Sequence, residues 1–269
     1  MQLDGMTSIV TGAGTGIGAA IARRLAAEGA RVCLVGRRPE PLEEVHRELP
    51  AGSSVVCVAD VSDPADVERA VAAAVELGDG SLNIVVNNAG IGPFGSIGDL
   101  DLQEWHDAMA VNVTGPMLVI RAAIAHLKSS TGASVVNISS VAGRRPFPGL
   151  AAYSTTKAAL IMLTQQAAVD YGPDGIRFNV VCPGWVRTPM SEREMESVVE
   201  LHGGDVETAL GRVSRDAPLR RVADPDEIAA VVTFLASSAS SFMTGDVLAA
   251  DGGSTLLDVS TLAFQADGA

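Results

Sequence analysis

The chain has 269 residues, of which 47% are hydrophobic and 19% are charged, and its net charge is −13. This composition excludes a disordered or collagen-like chain, because the apolar residues suffice to form a core. The acidic balance disfavours nucleic acid as a partner, since like charges repel a phosphate backbone. The length predicts one domain. The aromatic content of only 4% predicts a core of alanine, valine, leucine and isoleucine.

The sequence carries no recognisable signal for a membrane or for secretion. No uninterrupted apolar run approaches the roughly 18 residues that span a bilayer. The first five residues lack the basic and then apolar pattern of a secretory signal. Cys33, Cys57 and Cys182 lie in apolar runs without metal-ligand spacing. We therefore expect a cytoplasmic protein with no membrane contact, with buried free thiols and no bound metal.

Short apolar segments alternate with amphipathic stretches along the chain and predict the strands of a sheet. Continuous apolar runs are typical of strands that are covered on both faces. Because strand–helix alternation requires crossover connections, the pattern predicts an α/β fold with a doubly wound parallel sheet. The predicted strands are residues 7–10, 31–35, 54–58, 83–87, 134–139, 177–182 and 246–249.

Caps and prolines mark the starts of two predicted helices. Asp63 and Asp224 each precede a proline, and Glu227 completes a capping-box pattern at the second start. The polar stretch of residues 185–221 is too long for an ordinary connection. We therefore predict a helical insert or a substrate lid there, within a single domain that spans residues 1–269.

The first predicted strand leads into a glycine-rich turn that a helix follows, which is the context of a dinucleotide pyrophosphate site. Glycines let the backbone approach the phosphates, and the N–H groups and dipole at the helix start favour the negative charge. The last glycine comes one residue earlier than in the strict G-x-G-x-x-G pattern. Four glycines at alternate positions nevertheless favour binding over a purely structural turn. The candidate cofactor-binding residues here are Gly12, Gly14, Thr15, Gly16, Ile17 and Gly18.

Tyr153 and Lys157 are four residues apart near the start of a predicted apolar helix, so their side chains lie on one helix face. A tyrosine at its ordinary pKa near 10 is a poor base at neutral pH. A close cation lowers that pKa and would make Tyr153 a usable proton donor or acceptor. The pair alone is also typical of an amphipathic helix whose lysine extends to solvent.

The surrounding residues complete a set of motifs that covers nearly the whole chain. Ser139 and Ser140 stand at the end of a predicted strand, where open α/β sheets place their sites. With these motifs the chain resembles the short-chain dehydrogenase/reductase family. The motifs that carry the resemblance are T-G-x-x-x-G-x-G at residues 11–18, N-N-A-G at 87–90, Asn112, Ser140, Tyr153 with Lys157, P-G at 183–184, and a T-G…D-G-G ending at Thr244, Gly245, Asp251, Gly252 and Gly253.

The resemblance implies a Rossmann-type domain with seven parallel strands and a nicotinamide cofactor. It implies that Tyr153 is the acid/base and that Lys157 binds the nicotinamide ribose and lowers the tyrosine pKa. Ser140 would hydrogen-bond the substrate oxygen, with Ser139 as a competitor by adjacency, and Asn112 would hold a water in a proton relay through Lys157. The other implied cofactor-binding residues are Asp60, Val61, Asn87, Ala89, Gly90, Pro183, Gly184, Val186 and Thr188.

The end of the second predicted strand favours NADP(H) over NAD(H). An acid about 20 residues after the glycine turn would bond the ribose 2′-hydroxyl and repel a 2′-phosphate. Family members that prefer NAD carry that acid where Gly36 stands, whereas Arg37 and Arg38 follow here. Arginine pairs well with phosphate oxygens. The chain departs from one NADP pattern, in which a basic residue stands in the glycine turn at the position of Thr15. NAD(H) remains the alternative cofactor if both arginines are simply solvated.

The expected function is an oxidoreductase that transfers a hydride between a nicotinamide cofactor and a carbonyl or secondary alcohol substrate, as a ketoreductase does. One alternative is an isomerase, lyase or epimerase on the same scaffold, and another is a regulator that binds the dinucleotide without chemistry. The joint presence of Asn112, Ser140, Tyr153 and Lys157 favours catalysis, because a sensor needs only the glycine turn.

The partner is expected to be a small molecule, and the resemblance implies a homotetramer built through the long helices that hold Asn112 and Tyr153. Arg144 and Arg145 are expected to be solvated. The candidates for an apolar wall of the substrate pocket are Phe94, Trp185, Met190 and Met195.

Overall fold

The computed structural model describes residues 1–258, which form an α/β domain around one parallel sheet. The strand order is β3-β2-β1-β4-β5-β6-β7, so the predicted doubly wound architecture is confirmed. Each strand lies within one residue of its predicted position at both ends. The strands are β1 (Thr7–Thr11), β2 (Arg31–Gly36), β3 (Ser54–Val58), β4 (Ile84–Asn87), β5 (Ser134–Ile138), β6 (Arg177–Pro183) and β7 (Val247–Ala250).

Helices connect successive strands, and local side chains determine where two of them begin. The Asp63 carboxylate accepts from the Ala65 and Asp66 N–H groups, as its capping pattern predicts. Glu227 Oε2 accepts from the Asp224 N–H at 2.9 Å, which confirms the second start. The helices are α1 (Gly16–Ala27), α2 (Pro39–Glu48), α3 (Pro64–Leu77), α4 (Leu102–Met109), α5 (Gly115–Ser129), α6 (Ala151–Tyr171), α7 (Pro189–His202), α8 (Val206–Ser214) and α9 (Pro225–Ala236).

Two apolar cores cover the two faces of the sheet, because successive strand residues point to opposite sides. Val10 and Leu34 belong to the core shared with α1 and α9, whereas Ile9 and Cys33 belong to the core shared with α3 and α5. Phe178 is the one aromatic residue in these buried sets, so small aliphatic side chains fill both layers, as the composition predicts.

The sheet order also locates the functional edge. β1 lies between β2 and β4, so the chain leaves β1 in one direction for β2 and β3 and in the other for β4 and its successors. Open α/β sheets bind ligands at the carboxyl ends of the strands at such a switch point. The glycine-rich turn follows β1 and therefore lies at this crevice.

The continuous helix Leu102–Ser129 is long and apolar enough to cross a membrane by length and composition alone. In the domain it packs against α3 and β4. Leu118, Val119, Ala123 and Leu127 are buried in the second core. This packing against the sheet accounts for the apolar composition of the helix.

All three cysteines are free thiols, as expected. Cys33 and Cys182 are buried, but Cys57 is only partly buried, so the prediction of burial is wrong for that residue. Cys57 lies on β3, which is an edge strand with a neighbour on one side only.

Candidate active site

A cleft of about 600 Å³ follows the carboxyl edge of the sheet. Arg37 and Arg38 line it beyond the end of β2, Gly12 and Gly16 line it beyond β1, and Tyr153 lines it beyond β5. The cleft is therefore long enough to pass from the second strand, across the glycine turn, to the Tyr153 helix. The predicted site residues that line it are Gly12, Thr15, Gly16, Ile17, Arg37, Arg38, Asp60, Val61, Ala89, Gly90, Ser140, Tyr153, Lys157, Pro183, Gly184, Val186 and Thr188.

Four predicted site residues do not line the cleft. They contact the segments that form its walls. A Cβ atom on Gly18 would overlap the Gly12 carbonyl oxygen, so Gly18 allows α1 to start close to the turn. Gly14 lies against Pro41. Asn87 is buried and donates from Nδ2 to Asn137 Oδ1 at 2.8 Å on the neighbouring strand. The fourth is Asn112, whose contacts are described below.

The start of α1 has the donors that a pyrophosphate needs. Thr15, at the N-cap, makes no side-chain capping bond, and the first turn holds no acidic residue. Among the side chains of residues 1–258, none therefore caps these N–H groups, which are left for an anion at the positive end of the helix dipole. The turn thus fits a dinucleotide.

Tyr153, Ser140 and Lys157 come together at the other end of the cleft. Tyr153 lies in the first turn of α6 and Lys157 one turn later, as the spacing predicts. The Tyr153 hydroxyl lies beside the Ser140 hydroxyl, whose hydrogen bond lowers the pKa of the tyrosine. Lys157 Nζ lies 5.6 Å from the centroid of the Tyr153 ring and donates to the Ile138 carbonyl at 2.9 Å.

The two adjacent serines have different environments. Ser139 is buried, and its hydroxyl donates to the Lys157 carbonyl at 2.8 Å, which joins the end of β5 to α6. Ser140 is only partly buried, and its Oγ also accepts from the Ala142 N–H at 3.1 Å. The hydroxyl that faces Tyr153 is therefore that of Ser140, in agreement with the thirteen-residue spacing.

Burial decides the proton affinities of the pair. It raises the pKa of Tyr153 to about 12, in spite of the Ser140 hydrogen bond. It also lowers the pKa of Lys157 to about 8, since a buried ammonium loses hydration. The expectation that Lys157 lowers the Tyr153 pKa is therefore wrong for this structure. Desolvation of the phenol is the largest effect, and the hydrogen bond with Ser140, rather than the charge of Lys157, opposes it. At neutral pH Tyr153 carries its proton.

Asn112 lies in a π-helical turn, Ala110–Thr114, between α4 and α5. Its Oδ1 accepts from the Ile91 N–H at 2.9 Å, and its Nδ2 donates to the Ile91 carbonyl at 2.8 Å and to Thr156 Oγ1 at 2.9 Å. Asn112 Oδ1 and Lys157 Nζ would each lie 3.3 Å from a Cβ atom on Gly90. The turn thus brings Asn112 toward Lys157, in the kind of irregular helix that is frequent at functional sites.

The substrate end of the cleft differs in part from the predicted apolar wall. Trp185 and Met190 line the cleft, whereas Phe94 is exposed outside it and Met195 is buried between α7 and α8. The prediction of these two is wrong, because a lone apolar residue carries no signal of which side it faces. Arg144 and Arg145 are exposed, as expected. The lining residues that sequence reasoning missed include Ile91, Val111, Phe147, Leu150, Arg193 and Glu194.

The polar stretch 185–221 is a helical insert that contains α7 and α8. Met195, Ala209 and Leu210 form a small core of its own. Thr188 caps α7, with Oγ1 accepting from the Ser191 N–H at 3.2 Å, and its methyl group packs against Gly16 in the glycine turn. The prediction of a helical insert is confirmed, and its start lies directly over the glycine turn.

Comparisons with known proteins agree with this geometry. A family model described as enoyl-(acyl carrier protein) reductase matches residues 12–255. The oxidoreductase UcpA of Escherichia coli (strain K12) is 40% identical over 259 residues, which cover 95% of this chain and 96% of that protein. The meso-2,3-butanediol dehydrogenase of Serratia marcescens is 34% identical, with 96% of this chain and 98% of that protein covered.

The fold is shared with a solved relative as well. The ligand-free aldohexose dehydrogenase of Thermoplasma acidophilum superposes with a TM-score of 0.86 at 34% identity, and 96% of each chain is covered. These matches span the glycine turn, the Tyr153 helix and the insert. The chain therefore belongs to the short-chain dehydrogenase/reductase family of oxidoreductases.

Proposed function

We propose that the protein interconverts a secondary alcohol and the corresponding carbonyl compound with NADP(H) as the preferred cofactor, and that Tyr153 is its acid/base. The observation that carries this proposal is the approach of the Tyr153 and Ser140 hydroxyls in a cleft that begins at Arg37 and Arg38. The uncapped start of α1 lies between these two ends and supports a dinucleotide as the occupant.

The roles follow from the chemistry of each group. A bound nicotinamide cofactor would supply or accept the hydride. Ser140 would hold the substrate oxygen and stabilise its developing charge. Tyr153 would donate its proton to that oxygen in reduction and accept it in oxidation. Lys157 would bind the nicotinamide ribose, and Asn112 would hold a water that links Lys157 to solvent.

The preference for NADP(H) rests on Arg37 and Arg38. Both side chains are exposed and line the cleft, and neither forms an ion pair or hydrogen bond with another residue in the described part of the chain. Gly36, where an acidic residue would favour NAD, offers no carboxylate. Two free guanidinium groups at this end favour a phosphorylated ribose, since arginine bonds phosphate oxygens in pairs.

We also propose that the enzyme is a cytoplasmic homotetramer assembled through α5 and α6, with a small molecule as its substrate. Met162 and Val169 support this assembly. They lie seven residues apart on α6, hence on one helix face, and are 63% and 73% exposed. A cytoplasmic location agrees with three free thiols.

The substitution Tyr153→Phe tests the proposed function. We expect turnover of any alcohol or ketone that the wild type accepts to fall by roughly 10²- to 10⁴-fold, the usual contribution of a positioned acid/base. Circular dichroism and the Kd for NADP(H) are expected to stay unchanged, because one oxygen is removed from a ring that keeps its packing. Nicotinamide absorbance over a panel of secondary alcohols and ketones measures the activity.

Tyr171→Phe is the matched control. Tyr171 ends the same helix, where its ring packs against Phe178 with centroids 6.0 Å apart, and it does not line the cleft. Near-normal activity of Tyr153→Phe would contradict the assignment. A wild-type protein that binds the cofactor yet oxidises or reduces no member of the panel would instead favour the dinucleotide-binding regulator.

A further inference from the structure

Glu194 is a carboxylate in the catalytic end of the cleft that the proposed mechanism does not use. It projects from α7, is partly buried, and lines the cleft together with Tyr153 and Ser140. The neighbouring lining side chains at this end are largely apolar and include Phe147, Leu150, Trp185 and Met190. An acidic group in such surroundings requires a physical explanation, because a carboxylate loses hydration there.

Within residues 1–258, no side chain or backbone group donates a hydrogen bond to the Glu194 carboxylate or forms a salt bridge with it. The adjacent Arg193 lowers the pKa of Glu194 through its charge, but burial outweighs this effect and raises the pKa. Arg193 itself is exposed. Glu194 therefore keeps its acceptor oxygens available to whatever occupies the cleft.

Glu194 is also close to the reacting end. It lines the same cleft as Tyr153 and Ser140, and its charge adds to burial, the main effect that raises the pKa of Tyr153. Ser140 and Tyr153 are reserved for the reacting oxygen under the proposed function. A group that meets Glu194 must therefore be a second polar group of the same substrate, a short distance along its carbon chain.

We propose that Glu194 determines substrate specificity by accepting a hydrogen bond from a second donor group of the substrate, a hydroxyl or an ammonium next to the reacting carbon. This inference rests on the proposed function and names its substrate class as vicinal diols, hydroxy ketones or amino alcohols. Substrates with a carboxylate or sulfonate at that place are excluded by repulsion from Glu194. Purely aliphatic alcohols leave the carboxylate without a partner, which costs binding free energy.

Three alcohols of nearly equal size test the proposal in the oxidation direction. They are 1,2-propanediol, 1-amino-2-propanol and 2-butanol, which differ only in whether the terminal group is hydroxyl, ammonium or methyl. We expect wild-type kcat/KM for at least one donor-bearing alcohol to exceed that for 2-butanol by roughly 10- to 100-fold, as expected for hydrogen bonds to a charged group. Glu194→Leu should bring this ratio close to one while 2-butanol is still oxidised.

Glu194→Gln separates the two donor chemistries. The amide keeps an acceptor oxygen but no charge, so a preference for the diol should be retained in part and a preference for the amino alcohol should be lost. Glu200→Leu, an exposed position near the end of the same helix and outside the cleft, should keep the wild-type ratios.

The role of Glu194 is overturned if the Glu194→Leu enzyme retains the wild-type ratios. It is also overturned if the wild type has the same kcat/KM for 2-butanol as for the other two alcohols. Either result leaves the proposed function intact, because oxidation of 2-butanol itself reports hydride transfer. A wild type that binds NADP⁺ but oxidises none of the three overturns the proposed substrate class, and Tyr153→Phe then tests the proposed function separately on the ketone panel.

Discussion

Two arginines at the end of β2 determine which dinucleotide we expect the cleft to prefer. Arg37→Ala is expected to weaken NADP(H) binding by roughly 10- to 100-fold and to leave NAD(H) binding almost unchanged. The reason is that a charge-assisted hydrogen bond contributes about 1.5–3 kcal/mol, and only NADP(H) offers the phosphate. Fluorescence titration of wild type and variant with both cofactors measures the four Kd values.

Arg47→Ala is a suitable control, because Arg47 is exposed on the adjacent helix α2 and does not line the cleft. Its cofactor affinities should match those of the wild type. The preference for NADP(H) would be refuted by tighter wild-type binding of NAD(H), or by an NADP(H)-to-NAD(H) ratio that Arg37→Ala leaves unchanged.

Lys157 provides a test of burial through the dependence of stability on pH. Burial lowers its pKa from the ordinary value of 10.5 to about 8 in the folded protein. Between these two values the unfolded chain binds more protons than the folded chain, so the stability contributed by this group rises with pH. That stability is lost as the pH falls through about 8.

We therefore expect the free energy of unfolding of the cofactor-free wild type, minus that of Lys157→Met, to increase between pH 8 and pH 10. The slope should not exceed about 1.4 kcal/mol per pH unit, the value for one proton. Urea unfolding across this range measures it. Lys128→Met, which removes a partly exposed lysine from α5, is the control for the loss of one positive charge. A difference for Lys157→Met that does not change with pH would mean that the buried ammonium is not destabilised.

At the scale of elements, the insert that contains α7 and α8 is predicted to act as a lid over the substrate. It contributes Thr188, Met190 and Glu194 to the cleft, and its small core is separate from the two cores of the sheet. A unit with so few buried contacts of its own opens at a low free-energy cost. Closure over bound ligands would exclude water from the reacting groups.

Hydrogen exchange tests this motion. NADP(H) together with a substrate-competitive inhibitor should slow exchange of the α7 and α8 amides, whereas α9, packed against α1 in the first core, should exchange at its original rate. Unchanged protection of α7 and α8 on ligand binding would argue against a lid.

At the scale of the whole molecule, exposed apolar side chains on α6 predict self-association. A tetramer through α5 and α6 would bury Met162 and Val169, which a monomer leaves in water. Val169→Glu is therefore expected to reduce the molecular mass in solution to that of a smaller assembly, because a carboxylate would be buried without a partner. Light scattering coupled to size exclusion measures the mass.

Leu201→Glu introduces the same charge at an equally exposed residue on α7 and should leave the tetramer intact. A monomeric wild type, or a Val169→Glu variant that remains tetrameric, would contradict an assembly through this face.

The linear pattern of the chain by itself determined the strands, the helix caps and the principal motifs. Continuous apolar runs identify strands covered on both faces, and the bond from the Asp63 carboxylate reaches only two and three residues along the chain. The four-residue spacing of Tyr153 and Lys157 likewise places both on one helix face. These features depend on neighbours in sequence, so the sequence suffices to predict them.

Only the tertiary structure decided the proton affinities, the wall of the cleft and the contacts of Asn112. The pKa values of Tyr153 and Lys157 shift in opposite directions because other elements bury both groups. Asn112 lies in a π-helical turn that the sequence pattern did not predict, and it forms hydrogen bonds with Ile91 and Thr156, which are 21 and 44 residues away. Glu194 of α7 lines the cleft together with Tyr153 of α6. Desolvation and long-range contacts arise only when distant segments pack together, so a reading along the chain cannot determine them.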